Sequence, residues 1–282
     1  MIHLSRKIPA WLLTHMPVRW ARLCVGNLAP AAAPGVGQPP LQLLVDVSVI
    51  HESDARTGIQ RVVRALLLQL LKTPPTGYRI CPVFATRRHG YHYAAPDFLD
   101  VSKQPAGLET RAVQVQRGDL FLALDLAAHL LPRHQAQVLG WKRSGVKLHV
   151  LVYDLLPLQH PEWFNPKTTR NFERWIRWLA VYADSAICIS ETVKTDLGNW
   201  LKACFGLPPT AVPASTIVLG ADIDASAPSG GLPSDGEALL KNLRETPSVL
   251  VVGTLEPRKG HDQALAAFEL LWQRAESAPS LV

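Results

Sequence analysis

From residue 41 onward the chain alternates between short apolar runs and stretches whose apolar residues recur every three or four positions. The short runs lie at 41–49 (LQLLVDVSV), 79–84 (RICPVF), 119–124 (DLFLAL), 147–153 (KLHVLVY), 185–189 (SAICI), 216–219 and 248–253 (SVLVVG). They have strand length and little internal polarity, the mark of strands buried on both faces. Between them, Ile59, Val62, Val63, Leu66, Leu67 and Leu70 form one helical stripe within 58–71, with Arg61 and Arg64 on another face. A second stripe of Phe172, Trp175, Ile176, Leu179 and Ala183 predicts a helix over 169–183, and Ser190 is placed to cap a third. Buried strands alternating with helices predict an α/β fold whose mostly parallel sheet is covered on both faces.

The pattern weakens at both flanks. Residues 1–45 hold no acid but carry Arg6, Lys7, Arg19 and Arg22 beside Trp11, Leu12, Leu13, Trp20 and Leu23. Pro9, His15 and Pro17 break this stretch, which argues against a cleaved leader. Two readings stay open: an extension without a role of its own, or peripheral membrane contact through residues 1–27. Residues 28–40 are Ala, Pro and Gly-rich and read as a linker. Residues 225–246 begin as a second such linker and end in a short charged helix.

A new strand–turn–helix unit opens at 248, its helix carrying Leu265, Phe268, Leu271 and Trp272 on one side. The expected organisation is an extension and linker (1–40), an α/β domain (41–224), a linker (225–246) and the first unit of a second α/β domain (247–282). Those last residues barely exceed one β–α repeat of about 30 residues, and no following strand is expected to pair with 248–253. The second domain is therefore expected to be incomplete.

Composition narrows the classes. Of 282 residues, 48% are hydrophobic and 18% charged, which suits a packed core and excludes a disordered chain. The net charge of +6 permits phosphates, nucleotides or acidic lipids without selecting one; no nucleic-acid partner is expected. Cys24, Cys81, Cys188 and Cys204 form no C-x-x-C pair, and no His cluster has zinc spacing, so neither a metal nor a cofactor is expected. Cys81 and Cys188 fall in apolar runs as small hydrophobes, and a reducing compartment is the default. Asp46, Asp125 and Asp154 interrupt the apolar runs, which are too short to span a bilayer.

In open α/β sheets ligands bind beyond the carboxyl ends of the strands. That directs attention to the loop at 50–58, Asp125, Asp154, Ser190, Gly220 and the turn 254–260 (TLEPRKG). Gly58 stands where a helix begins, so backbone there can approach an anion; a plain helix start explains it equally well. Asp154, before a Pro-shaped loop with Trp163 and Phe164, suits hydrogen bonds to sugar hydroxyls or simply a turn. Asp125 has the same two readings. Arg258 and Lys259, side by side at a strand-to-helix turn closed by Gly260, form the most specific feature: a grip for a diphosphate.

The run VLVVGTLEPRKGHDQALAAFELLW resembles the start of the nucleotide-sugar domain of family 4 (group 1) glycosyltransferases of GT-B fold. TGIQRVVRALLLQLL, VYDLLPLQHPEWF and ADSAICISETVKTDL resemble earlier segments of that family, so the likeness covers residues 41–282. It implies a Rossmann-like N-terminal acceptor-side domain followed by an incomplete second Rossmann-like domain. It further implies retaining transfer from a nucleotide-diphosphate sugar to a glycan or glycolipid acceptor, without a required metal. Arg258 and Lys259 would then hold the donor diphosphate with Gly58 nearby, and Asp154 would be the catalytic-cleft carboxylate facing acceptor or sugar. The expected location is the cytoplasm, with peripheral contact at the membrane face. Two departures stand out. Many relatives carry His where this chain has Tyr153, and the family's downstream Glu-Gly-Phe-Gly motif does not occur, so the chain alone is expected to be inactive. The rival reading is a non-catalytic acceptor- or lipid-binding α/β domain; a nucleotide-dependent oxidoreductase is disfavoured because the glycine fingerprint is missing.

Overall fold

The computed structural model describes residues 8–26, 40–55, 57–95, 98–99, 111–220, 234–245, 247–274 and 278–282. Residues 1–7 and 27 of the basic segment, most of the linker read at 28–40, and 225–233 of the second linker lie outside these. Two helices, α1 (Ala10–His15) and α2 (Val18–Gly26), precede the first strand. Strand β1 (Leu41–Asp46) leads through α3 (Ser48–Glu52) and α4 (Gly58–Lys72) to β2 (Tyr78–Phe84) and the short β3 (His92–Tyr93). Then come β4 (Leu120–Ala123), α5 (Gln135–Ser144), β5 (Lys147–Val152), α6 (Leu156–Gln159), α7 (Pro166–Tyr182), β6 (Ser185–Cys188), α8 (Glu191–Phe205) and β7 (Ala214–Thr216). Beyond 234 follow α9 (Gly236–Glu245), β8 (Ser248–Val249), α10 (His261–Arg274) and β9 (Ser280–Leu281).

The first seven strands form one sheet in the order β3-β2-β1-β4-β5-β6-β7. Every pairing is parallel except the β2–β3 edge. This is the α/β architecture expected from the alternating pattern, in the Rossmann-like form that the resemblance implies. All six residues of β1 are buried, as a central parallel strand demands. One face packs Val63 and Leu67 of α4 with Ile50 and Phe84. The other packs α1, α2, α5 and α7 through Leu13, Ala21, Val138, Trp175 and Leu179. Strand order reverses between β1 and β4, so their carboxyl ends open the crevice where such sheets bind ligands.

Local chemistry fixes the helix starts. Thr57 and Gln60 form a reciprocal capping box at α4, Asn165 caps α7 ahead of Pro166, and Ser190 caps α8 as its sequence position predicts. Helix α5 carries no clean periodic stripe; Lys142 on it is buried and pairs with Asp184 at 2.6 Å. Only tertiary pairing makes that helix intelligible. The expectation that no strand follows 248–253 is corrected: β8 pairs in parallel with β9, Val249 opposite Leu281. The strand itself is shorter than its apolar run, and Val252 and Leu255 stand exposed.

The N-terminal segment is part of the packed domain. Leu13, Val18, Ala21 and Val25 are buried in the main cluster. Arg22, one of the cations grouped above with membrane contact, turns inward: its guanidinium donates to the carbonyls of Ala180 (2.8 Å), Ala183 (3.0 Å) and Ala211. Arg177 of α7 reciprocates by donating to Leu13 O (3.2 Å), Thr14 O (2.8 Å) and Met16 O. Trp11, Leu12, Trp20 and Leu23 face outward. Among the described residues no helix is long and apolar enough to cross a membrane.

Because Arg22 satisfies three carbonyls that packing keeps from water, Arg22→Ala is expected to cost about 2 kcal/mol or more. Urea denaturation checks this; a variant as stable as the parent would show the N-terminal helices to be only loosely docked.

Candidate functional site

Two buried aspartates shape the crevice between β1 and β4. Asp46 closes β1 and accepts from Ser48 N (3.0 Å), Ser48 Oγ (2.5 Å) and Tyr91 Oη (2.8 Å). Asp125 follows β4 and accepts from Val49 N (2.8 Å) and Ile50 N (2.9 Å) through Oδ2, while its buried Oδ1 has no partner among the described residues. Together they fold the chain after β1 into α3. Ser48 Oγ in turn accepts from Ala85 N at 2.9 Å, tying this turn to the end of β2. Burial pushes Asp46 up to about 7, against the lowering effect of its bonds from Ser48, with Asp125 nearby adding to the rise. Asp125 is likewise raised by burial, partly offset by the backbone amides it binds. Of its two sequence readings, Asp125 takes the turn-forming one. Asp46, Ser48 and Tyr91 were not singled out by motif: Tyr91 reaches Asp46 from 45 residues away in the sequence.

Asp154 stands just beyond β5, half-buried, and its Oδ1 accepts from Leu156 N at 3.1 Å, the turn that starts α6. Burial raises its pKa, while the Leu156 amide and the charge of Arg258 pull it back. Arg258, in the turn 254–260, is thus close enough for its charge to act on Asp154. That turn is internally braced. Arg258 Nε donates to Glu256 Oε2 at 2.6 Å, Thr254 Oγ1 donates to Glu256 Oε1 at 2.9 Å, and Gly260 takes a left-handed φ of 74° to enter α10. Lys259 beside it is exposed. Gly58 is the first residue of α4, two strands across the sheet from β5, and a Cβ there would meet nothing within 4 Å. The structure therefore brings Asp154 and Arg258 into electrostatic reach and leaves Gly58 on the neighbouring part of the carboxyl edge.

Tyr153, which stands where many relatives of the resembled family carry His, is buried. Its hydroxyl donates to Leu124 O at 3.0 Å, and burial raises its pKa far above the ordinary phenol. It packs between α4 and the sheet. Among the described residues no group of three or more His, Cys, Asp or Glu side chains is arranged to hold a metal ion.

No family model matches the chain. Three Escherichia coli proteins, each named serotype-specific mannosyltransferase WbdA, are similar to it at 40% identity over 240, 237 and 237 residues. The matches cover 84%, 83% and 83% of this chain but 29%, 28% and 29% of the relatives. The chain thus spans less than a third of the length of the curated relatives it matches, and the likeness concerns one part of each.

The Asp46 network yields a pH dependence. In the folded chain Asp46 keeps its proton up to about pH 7, whereas an unfolded aspartate ionises near 3.8. Between those values the folded state binds the extra proton, so this group's contribution to stability falls as pH rises from about 4 to about 7 and is constant above. Asp46→Asn keeps the hydrogen-bonding shape and cannot ionise. Relative to the parent it is expected to gain stability progressively across that window, by roughly 4 kcal/mol at most. Denaturation at a series of pH values checks the trend; a parallel pair of profiles would remove Asp46 as the titrating group.

Proposed function

We propose that this chain is the acceptor-side part, with the opening of the donor-binding part, of a glycosyltransferase that uses a nucleotide-diphosphate sugar. The observation that carries the reading is the 40% identity, across 84% of the chain, to proteins named mannosyltransferases. Mannose is accordingly the sugar proposed, and a glycan or glycolipid hydroxyl the acceptor. Residues 41–224 would form the acceptor-side domain and 247–282 the first unit of the GT-B donor domain, as in group 1 of family 4.

In this reading Arg258 and Lys259 bind the donor diphosphate and stabilise the negative charge that grows on it as the glycosidic bond breaks. The charge of Arg258 beside Asp154 supports the placement, because a diphosphate entering there would replace Glu256 as the guanidinium's partner. The amides at the start of α4, reached past Gly58, supply a second set of donors to the phosphates. Asp154 orients the acceptor or the transferred sugar through its free carboxylate oxygen. The acceptor oxygen bonds to the anomeric carbon, the diphosphate leaves with the bond's electron pair, and its phosphate takes the acceptor's proton on the same face, which retains configuration. The protein's share is positioning and charge, and no protein nucleophile is required. Work on a cytoplasmic nucleotide sugar would place this chemistry in the cytoplasm or at the membrane face beside it.

Gly58 separates this reading from a purely structural one. Its Cβ position is open and its φ is not left-handed, so Gly58→Ala is expected to leave the fold intact or stabilise it by up to about 1 kcal/mol. The same change crowds a phosphate and is expected to weaken GDP or UDP binding by about tenfold, equivalent to ~1.4 kcal/mol. Arg258→Ala is expected to weaken it at least as much. Calorimetric titration of the two variants checks both; unchanged affinity in the pair removes the donor assignment and leaves the lipid- or acceptor-binding alternative.

A further inference from the structure

A strongly cationic concavity of the described domain has neither Asp154 nor Arg258 in its lining. A cavity of about 370 Å³ is walled by α1, the segment after β4 and α7. Arg87, Arg133, Lys167, Arg174 and Arg177 surround it, with His129, and among the described residues no carboxylate lines it. The cations share one field. Burial holds the His129 imidazole below its ordinary pKa; Glu52, 4.0 Å away, pulls the other way, while Arg87, Arg133 and Lys167 lower it further. Arg177 is spent on the carbonyls of the N-terminal helices, but Arg133 and Arg174 stand exposed.

The floor is apolar. Leu13, Trp178, Val181 and Tyr182 line it. Trp178 and Tyr182 are 3% and 2% exposed, so the floor offers ring faces and aliphatic surface. The volume falls in the range of small-ligand sites, about 300–1,000 Å³. The helix that contributes Leu13 and Thr14 to the wall also exposes Trp11 (63%) and Leu12 (37%), and the next helix exposes Trp20 and Leu23. Cationic mouth, apolar floor and exposed Trp and Leu side chains on the helix that supplies part of the wall are the features of a headgroup site at a lipid surface.

We propose that this cavity binds the phosphate group of a lipid, its charge met by Arg133, Arg174, Lys167 and Arg87 and its apolar part lying along the Trp11–Leu12 face of α1. Phosphate oxygens accept from the guanidinium forks. The lining comes from α1, the segments after β2 and β4, and α7, and it includes neither Asp154 nor Arg258. The His129–Glu52 approach nevertheless links it to α3 at the rim of the carboxyl-edge crevice. Use of the cavity to anchor a lipid-linked acceptor rests on the glycosyltransferase reading; phosphate binding itself does not.

The test measures binding of the 282-residue chain, without sugar nucleotide, to phosphatidate–phosphatidylcholine vesicles, to pure phosphatidylcholine vesicles and to inorganic pyrophosphate. Expected is binding to the phosphatidate vesicles that falls about tenfold or more in Arg133→Gln/Arg174→Gln. Lys202→Gln/Lys241→Gln, which removes the same charge elsewhere, is expected to leave it unchanged. Near-ultraviolet circular dichroism checks the fold, and Arg174→Gln alone serves should the double variant be unstable. Equal losses in the two double variants would overturn the site in favour of general charge attraction. Binding of pyrophosphate but not of phosphatidate would overturn the lipid source, and binding of neither would overturn the proposal. Arg258→Ala is expected to bind phosphatidate as the parent does, so failure of the donor reading and failure of this one are told apart.

Discussion

The crevice of this protein depends on two carboxylates that never reach solvent. Asp46 and Asp125 stand at the ends of the two strands at which the sheet changes direction, and each gives one carboxyl oxygen to the turn between β1 and α3. Amides of a tight turn need acceptors, and a loop buried at a sheet edge cannot obtain them from water. Supplying them from aspartate fixes the turn but places carboxyl groups where ionisation is costly. The loop that leads to Thr57 and Gly58 therefore starts from a rigid point, and the first amides of α4 inherit their position from it. The same arrangement ties the local geometry to proton occupancy of Asp46.

The second organising feature is the exchange of arginine–carbonyl bonds between the N-terminal helices and α7. Arg22 reaches the end of α7 and Arg177 reaches the end of α1, each meeting carbonyls that helix geometry leaves unpaired. The exchange docks a basic segment on the sheet without carboxylates, so the positive charge of α7 is not neutralised where α1 meets it. A cationic cavity over an apolar floor is the physical residue of that choice. The crevice and the cavity are thus produced by different solutions to one problem, satisfying backbone groups away from water. In the crevice the acceptors are aspartates; beside α7 the donors are arginines.

Beyond residue 234 the balance differs. Strand β8 has one parallel partner in β9, and Leu265, Leu271 and Trp272 of α10 remain 38–48% exposed. Local capping and the Gly260 turn hold this unit's shape, with little apolar burial behind it. Its turn nonetheless directs Arg258 toward Asp154, which links the two parts of the described chain through charge.

The sequence by itself determined the α/β class, six of the seven strands of the main sheet, the long helices α4, α7 and α8, and the caps at Ser190 and Gly260. These follow from periodicity and from residue types whose backbone preferences are local. It also pointed to Asp154 and Arg258 as residues of a carboxyl edge, because a strand's end is legible from its own composition. Tertiary structure alone decided the rest. Helix α5 is docked by Val138, Leu139 and Trp141 in the main core, and its buried Lys142 meets Asp184, a pair 42 residues apart. Tyr91 meets Asp46, and Tyr153 is committed to Leu124, through contacts that no spacing announces. Arg22 looked like a surface cation until three distant carbonyls claimed it. Periodicity encodes which face of an element is buried. Which buried polar group finds which partner depends on how the elements cross, and that is settled only when the chain has folded.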